Sequence, residues 1–158
     1  MKNTPLLLSI LSVFCVLTAC NKGGGDALQG PSSSFTFTAN DSLLSYPINI
    51  AYTQEVYNVH TTLISGQYKD TSSKKGSISF RLIGDTTGRY QGDSLLVTYT
   101  NATGDIYYNT GDSTNFVKVD KFEKKYNGIV SGTFSLKVAN SSGSIQFSQG
   151  TFTALYQD

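Results

Sequence analysis

From residue 35 onward the chain alternates apolar and polar side chains with a period of two, and this pattern constrains the fold more than any other feature. Phe35-Thr36-Phe37-Thr38 opens it. Successive side chains of a strand point to opposite faces, so strict alternation marks a strand with one buried and one solvated face. The same reading predicts strands over 48–52, 55–67, 76–83, 94–100, 105–108, 115–126, 129–139 and 144–156. Clusters rich in Gly, Asn, Asp, Ser and Thr separate them at 69–75, 84–88, 101–104, 111–114 and 140–143. Asn127-Gly128, between two extended runs, predicts a two-residue type I′ hairpin turn. No window sustains a 3.6-residue apolar period. The expected class is therefore all-β, an antiparallel β-sandwich or open barrel of about 8–10 strands.

The C-terminal third shows its faces most clearly. Phe134, Leu136 and Val138 share one parity, Thr133, Ser135 and Lys137 the other. Ile145 and Phe147 set a register on the last strand, and Gly150 is a candidate bulge before Phe152, Ala154 and Tyr156. Gly132 raises the same question on the preceding strand. Phe134 and Phe152 each follow a Gly-Thr pair, which predicts matching positions on neighbouring strands.

Before residue 35 the composition changes. Lys2 and the apolar run from Leu6 to Leu17 read as a secretory signal, too short to span a bilayer as a helix of ~20 residues. Residues 21–34 have linker composition and as a flexible coil would span roughly 20 Å. The expected division is a signal peptide over 1–19, Cys20 with a linker over 20–34, and an antiparallel β domain over 35–158. Loss of 1–19 removes Cys15 and Lys2 and leaves equal numbers of basic and acidic side chains. That balance gives no basic footprint, so no nucleic-acid partner is expected. One His and no Cys beyond residue 20 leave no cluster for zinc or iron–sulfur, and no cofactor is expected.

Leu17-Thr18-Ala19-Cys20 resembles the lipobox of bacterial lipoproteins. The resemblance implies acylation of Cys20, cleavage before it and a lipid anchor in the outer membrane, facing either the cell surface or the periplasm. Several acyl chains, at ~0.8 kcal/mol per buried methylene, make such an anchor effectively permanent. Further along, Ser131-Gly-Thr-Phe-Ser135 and Gly150-Thr-Phe152, with Phe35-Thr-Phe-Thr-Ala39 and Gly76-Ser-Ile-Ser-Phe80, are similar to small uncharacterised Bacteroidota lipoproteins. That resemblance covers most of 35–156 and carries no catalytic residue. Asp followed by Ser or Thr and then a small or apolar residue resembles the O-glycosylation sequon of exported Bacteroidota proteins. It makes Ser42, Thr86, Ser94 and Ser113 candidate glycosylation sites, although Asp-Ser and Asp-Thr are also ordinary turn vocabulary.

Catalytic signals are sparse. A Ser-His-acid triad could use only His60 as base, and no Gly-x-Ser-x-Gly elbow is present. His60 shares a parity with Asn58 and Thr62, which is expected to face solvent. The only Glu residues, Glu55 and Glu123, are the first candidates for a glycosidase dyad, but lysines around Glu123 would hold it ionised. The lysines of 121–125 are expected to guard an exposed strand edge. Asp93, Asp105 and Asp112 are oxygen donors a calcium ion could use, yet no spaced calcium-loop motif contains them. Tyr99, Tyr107 and Tyr108 could form a carbohydrate platform, but adjacent Tyr107 and Tyr108 must face opposite ways.

The expected function is a membrane-anchored, non-enzymatic binding or envelope-structural module, with the bilayer as partner through Cys20 and a protein or glycan as the other. The alternative is a carbohydrate-binding accessory lipoprotein, and after it a small inhibitor or hydrolase. A concave tyrosine-lined patch would favour the glycan, a uniformly polar convex surface a scaffold, and a deep cleft holding His60 or paired carboxylates an enzyme.

Overall fold

A computed structural model describes residues 32–69 and 75–157. The expected signal peptide, Cys20 and the linker as far as residue 31 lie outside the described residues, as does the centre of the expected turn at 69–75. The strands are β1 (Ser34–Ala39), β2 (Ser42–Tyr46), β3 (Ile48–Val56), β4 (Val59–Lys69), β5 (Lys75–Ile83) and β6 (Gly88–Tyr90). After a single 3-10 turn at Gly92–Ser94 come β7 (Leu95–Thr100), β8 (Ile106–Asn109), β9 (Phe116–Phe122), β10 (Ile129–Asn140) and β11 (Gly143–Tyr156). Apart from that one 3-10 turn the described residues are all-β, as the period-two pattern predicts.

All eleven strands belong to one sheet, and its pairings close. From β11 the neighbours run through β3, β4, β5, β7, β8 and β10 back to β11. Six antiparallel steps lead from β3 to β11, so the two must run the same way, and Leu155↔Ile50 and Tyr156↔Ala51 are indeed parallel. The sheet is therefore mixed rather than purely antiparallel, because a seven-membered up-and-down ring closes only in parallel. The long strands β10 and β11 form its spine. Along one edge β10 pairs with β9 and then β8, while β11 divides an edge between β1 and β3. β2 extends the sheet beyond β1, and β6 beyond β9.

The two Gly-Thr-Phe segments explain the register of the spine. Gly132↔Phe152, Thr133↔Thr151 and Phe134↔Gly150 are paired, so each phenylalanine lies across the other strand's glycine. A Cβ on Gly150 would come 2.5 Å from the Phe134 ring, and one on Gly132 would strike the Lys118 carbonyl oxygen and reach 3.0 Å from Phe152. Around this pair the core is a stack of rings: Phe35–Phe80 at 5.3 Å, Phe80–Phe134 at 4.9 Å and Phe37–Phe147 at 4.8 Å between centroids. Phe134, Leu136 and Val138 all face it, as their parity predicts. The bulge on β11 centres on Gln149 (φ +53), one residue before the expected Gly150. It lets Ile145 and Phe147 share a face with Phe152, Ala154 and Tyr156 despite their opposite parity.

Three expectations are corrected. Residues 55–67 are not one strand: Tyr57 and Asn58 form a tight turn, both at positive φ, and Val56 pairs with Val59. The faces of β4 are also inverted, since Thr62 and Ile64 are fully buried and Val59 is exposed. Thr62 tolerates the interior because its hydroxyl donates to the Gly84 carbonyl at 2.6 Å. Finally, Asn127-Gly128 is not a two-residue hairpin turn. Residues 123–128 form a six-residue loop, closed by the Glu123 N–H donating to the Ile129 carbonyl at 2.9 Å. Of the lysine run only Lys121 lies in a strand, and β6 covers the neighbouring edge of β9 as far as Val119.

Candidate functional site

The barrel has two ends of different chemistry. At the first lie the turn Asn40-Asp41, the loop 101–105 and the turn Ser141-Ser142. Here a hollow of about 480 Å³ opens between β2 and the ends of β4, β5 and β7. Its walls include Leu43, Leu44, Tyr46, Tyr68, Gly76 and Tyr99. Tyr68 and Tyr99 each end a row of inward-facing positions: Ile64 and Gly66 precede the first, Leu95 and Val97 the second. An amphipathic ring at the end of such a row sits at the rim with its apolar body on the core.

Tyr46 packs on Phe37 at 5.6 Å and Tyr68 at 5.9 Å. Tyr99 packs on Phe147 at 5.0 Å. Burial pushes the pKa values of Tyr46 and Tyr99 upward, that of Tyr46 further through the neighbouring Tyr99. Both phenols therefore stay neutral. Tyr68 is partly exposed and forms an accessible wall. Among the described residues no charged side chain lines this hollow. It can hold an uncharged ligand through ring faces, aliphatic contacts and neutral hydroxyl groups.

At the other end β3 and β4 run past the rim, which explains His60. Its parity is that of the interior, yet the side chain lies beyond the barrel and is 47% exposed. It faces the loop after β5: His60 Nδ1 is 3.6 Å from an Asp85 oxygen, and Nε2 is 3.9 Å from Glu55. The Gly84 N–H donates to the His60 carbonyl at 2.8 Å. Lys124 Nζ donates to Asp85 at 2.7 Å and, first among the causes, holds the Asp85 carboxyl below its usual pKa. These contacts join the β3–β4 hairpin to the loops that follow β5 and β9, and His60 lines neither the tyrosine-walled hollow nor the two beside Asp93.

The remaining sequence candidates are dispersed. Glu123 accepts from the Ile129 N–H at 2.9 Å and from Lys121 at 3.0 Å, and these contacts lower its pKa, the opposite of what a general acid requires. Asp93 and Asp112 line a second hollow with Asn109 and Asn115, whereas Asp105 belongs to the turn at the other end. The oxygens of Asp105 and Asp112 are taken by local turns, from Thr103 and Asn101 in one and from Thr114 in the other. Tyr107 and Tyr108 face opposite ways: Tyr107 packs on Tyr99 at 6.0 Å and Tyr108 is exposed on the wall. Tyr99 thus joins Tyr46 and Tyr68 rather than a flat platform. Ser42, Thr86 and Ser113 are exposed, while Ser94 is half-buried with its hydroxyl donating to the Gln91 carbonyl at 2.8 Å.

Tyr46 and Tyr68 are the site residues that sequence reasoning missed. The available signal was the end of an inward row for Tyr68, and for Tyr46 a ring directly before Pro47 where the sheet must break. Comparison of the chain with protein-family models, with curated proteins and with solved structures gives no match.

Proposed function

We propose that the protein is a lipid-anchored, non-catalytic binding module that takes a neutral glycan into the hollow lined by Tyr46, Tyr68 and Tyr99. The observation that carries this reading is a concave, tyrosine-walled pocket that no charged side chain lines among the described residues. Sugar rings present apolar C–H faces and neutral hydroxyls, the two kinds of surface this lining matches. The anchor rests on Leu17-Thr18-Ala19-Cys20, and with it the module belongs to the outer membrane, on the surface or periplasmic side. The hydrolase reading loses support because His60 lines none of the described hollows and the contacts of Glu123 hold its carboxyl below the usual range.

The test is a screen of the full chain against neutral and acidic oligosaccharides, repeated with Tyr68→Ala. The expected result is retention of one or more neutral glycans that the variant loses. Retention of acidic glycans only, or equal retention by Tyr68→Ala, would overturn the assignment of the pocket. Cys20→Ala should release the protein from the membrane fraction.

A further inference from the structure

The end opposite the pocket uses tyrosine in a different way. Tyr57 is 95% exposed at the tip of the β3–β4 hairpin. It lies in the left-handed region at φ +52, followed by Asn58 at φ +60. A bulky side chain is strained there, whereas Asn or Gly accepts the conformation readily. Tyr57 is thus present against local preference, and strain of this kind concentrates where a segment does something besides fold. Val56 and Val59 pair directly below it and are also exposed. Tyr126, 68% exposed, stands on the 123–128 loop next to Lys124 and Lys125. The Lys124–Asp85–His60–Glu55 chain ties that loop to the hairpin, so the two exposed rings belong to one end. The described turns of the pocket end, Asn40-Asp41, 101–105 and Ser141-Ser142, carry no aromatic side chain.

We propose that this end rests on the bilayer that holds the anchor. Tyr57, with Val56 and Val59, enters the boundary between headgroups and acyl chains, Tyr126 and Lys125 lie at headgroup level, and the tyrosine-lined pocket points away from the membrane. The proposal relies on the anchor in the reading above, though not on the glycan. A lipid surface fits the tip better than a protein does on three counts. Tyrosine, amphipathic and rigid, is enriched at membrane interfaces. Lysine can hold its stem along apolar surface with its ammonium among the phosphates. A tethered domain meets its own membrane at high effective concentration, so a contact of a few side chains suffices. The tether also reaches. Ser34 pairs with Thr153, and from there to Val56 along β11 and β3 is about 27 Å at ~3.3 Å per residue. The chain from Cys20 to Ser33 extends to about 45 Å.

The protein contains no tryptophan, so Tyr57→Trp introduces a single indole. The full lipidated chain with this substitution is placed in vesicles of phosphatidylcholine and phosphatidylglycerol, with and without brominated acyl chains. Expected are a blue-shifted emission and its loss to brominated lipid. Tyr108→Trp, on the barrel wall, should emit as in water and remain unquenched. Tyr126→Trp provides a second reporter at the same end, with a smaller shift. Circular dichroism of each variant must match the parent. A Tyr57→Trp chain that sediments with vesicles while its indole stays water-like and unquenched overturns the docking but leaves the anchor standing. A chain that does not sediment overturns both. Photocrosslinking of a benzophenone side chain placed at position 57 to a protein in native membranes, with no quenching of the Tyr57→Trp indole in pure lipid, would instead give the tip a protein partner and refute the lipid contact.

Discussion

Tyr46 and Tyr99 at one end of the barrel, and Tyr57 and Tyr126 at the other, are the same residue put to opposite uses. The first two are almost wholly buried and packed on phenylalanines. The second two stand on loop tips, one of them in a strained conformation. What separates them is position relative to the rim: an inward-facing tyrosine inside the ring becomes wall, and one on a turn beyond the ring is left to whatever lies outside. A count of ten tyrosines cannot distinguish these uses.

Both ends depend on the ring stack between them, so the largest effect should come from its centre. Phe134 touches Phe35, Phe37 and Phe80 and covers Gly150. Phe134→Ala should cost about 3–5 kcal/mol in denaturant melts, with loss of structure at both ends together. A cost below about 1 kcal/mol would mean that the spine does not couple them. The next largest effect belongs to the pocket end. Tyr46→Leu removes the ring that packs on Phe37 and Tyr68, which should cost about 1–3 kcal/mol in the same melts. At the tip end the sign should reverse. Tyr57→Asn removes no packing and relieves a left-handed penalty, so thermal melts should show a gain of about 1 kcal/mol. A loss would show that the ring is held by the fold, and the contrast between the two ends would fail.

How much of this was legible depended on local consistency. The β10–β11 hairpin could be read in advance because its alternation is clean and its two Gly-Thr-Phe segments announce their own register. β2 could not, since Ser42-Leu-Leu-Ser-Tyr46 repeats an apolar residue instead of alternating, and three-residue β6 is too short to show a period. The turn at Tyr57-Asn58 lacks the glycine that would have marked it. Two consecutive buried threonines, Thr61 and Thr62, made the inner face of β4 look like the outer one. The pocket was invisible for a different reason: it gathers β2, β4, β5 and β7, and only closure of the ring brings their ends together. His60 was correctly expected to be exposed, but on the wrong argument, because it is inward-facing by parity and exposed only by standing past the rim.

The smallest effect concerns the ion chain that braces the tip end. Lys124 lowers the native pKa of Asp85 below its ordinary 3.8. A carboxylate depressed in the native state stabilises above its unfolded pKa, and that contribution is lost as pH falls through the unfolded value toward the native one. The window is therefore below about pH 4, where Asp105 and Asp112, also depressed, release their shares as well, while the loss for Glu123 begins slightly higher, at its ordinary 4.5. Asp85→Asn should cost under about 1 kcal/mol at neutral pH, as solvent-facing pairs do, and should shallow the acid limb without abolishing it. His60→Ala at neutral pH should stay within about 0.5 kcal/mol, because an imidazole beyond the rim packs against no core. Urea melts of the three proteins at neutral pH and below about pH 4 make the comparison. An acid limb unchanged in Asp85→Asn would show that the loops of the tip end are held by their backbone bonds, such as Gly84 N–H to the His60 carbonyl, and that the charges there only decorate a hairpin already fixed in place.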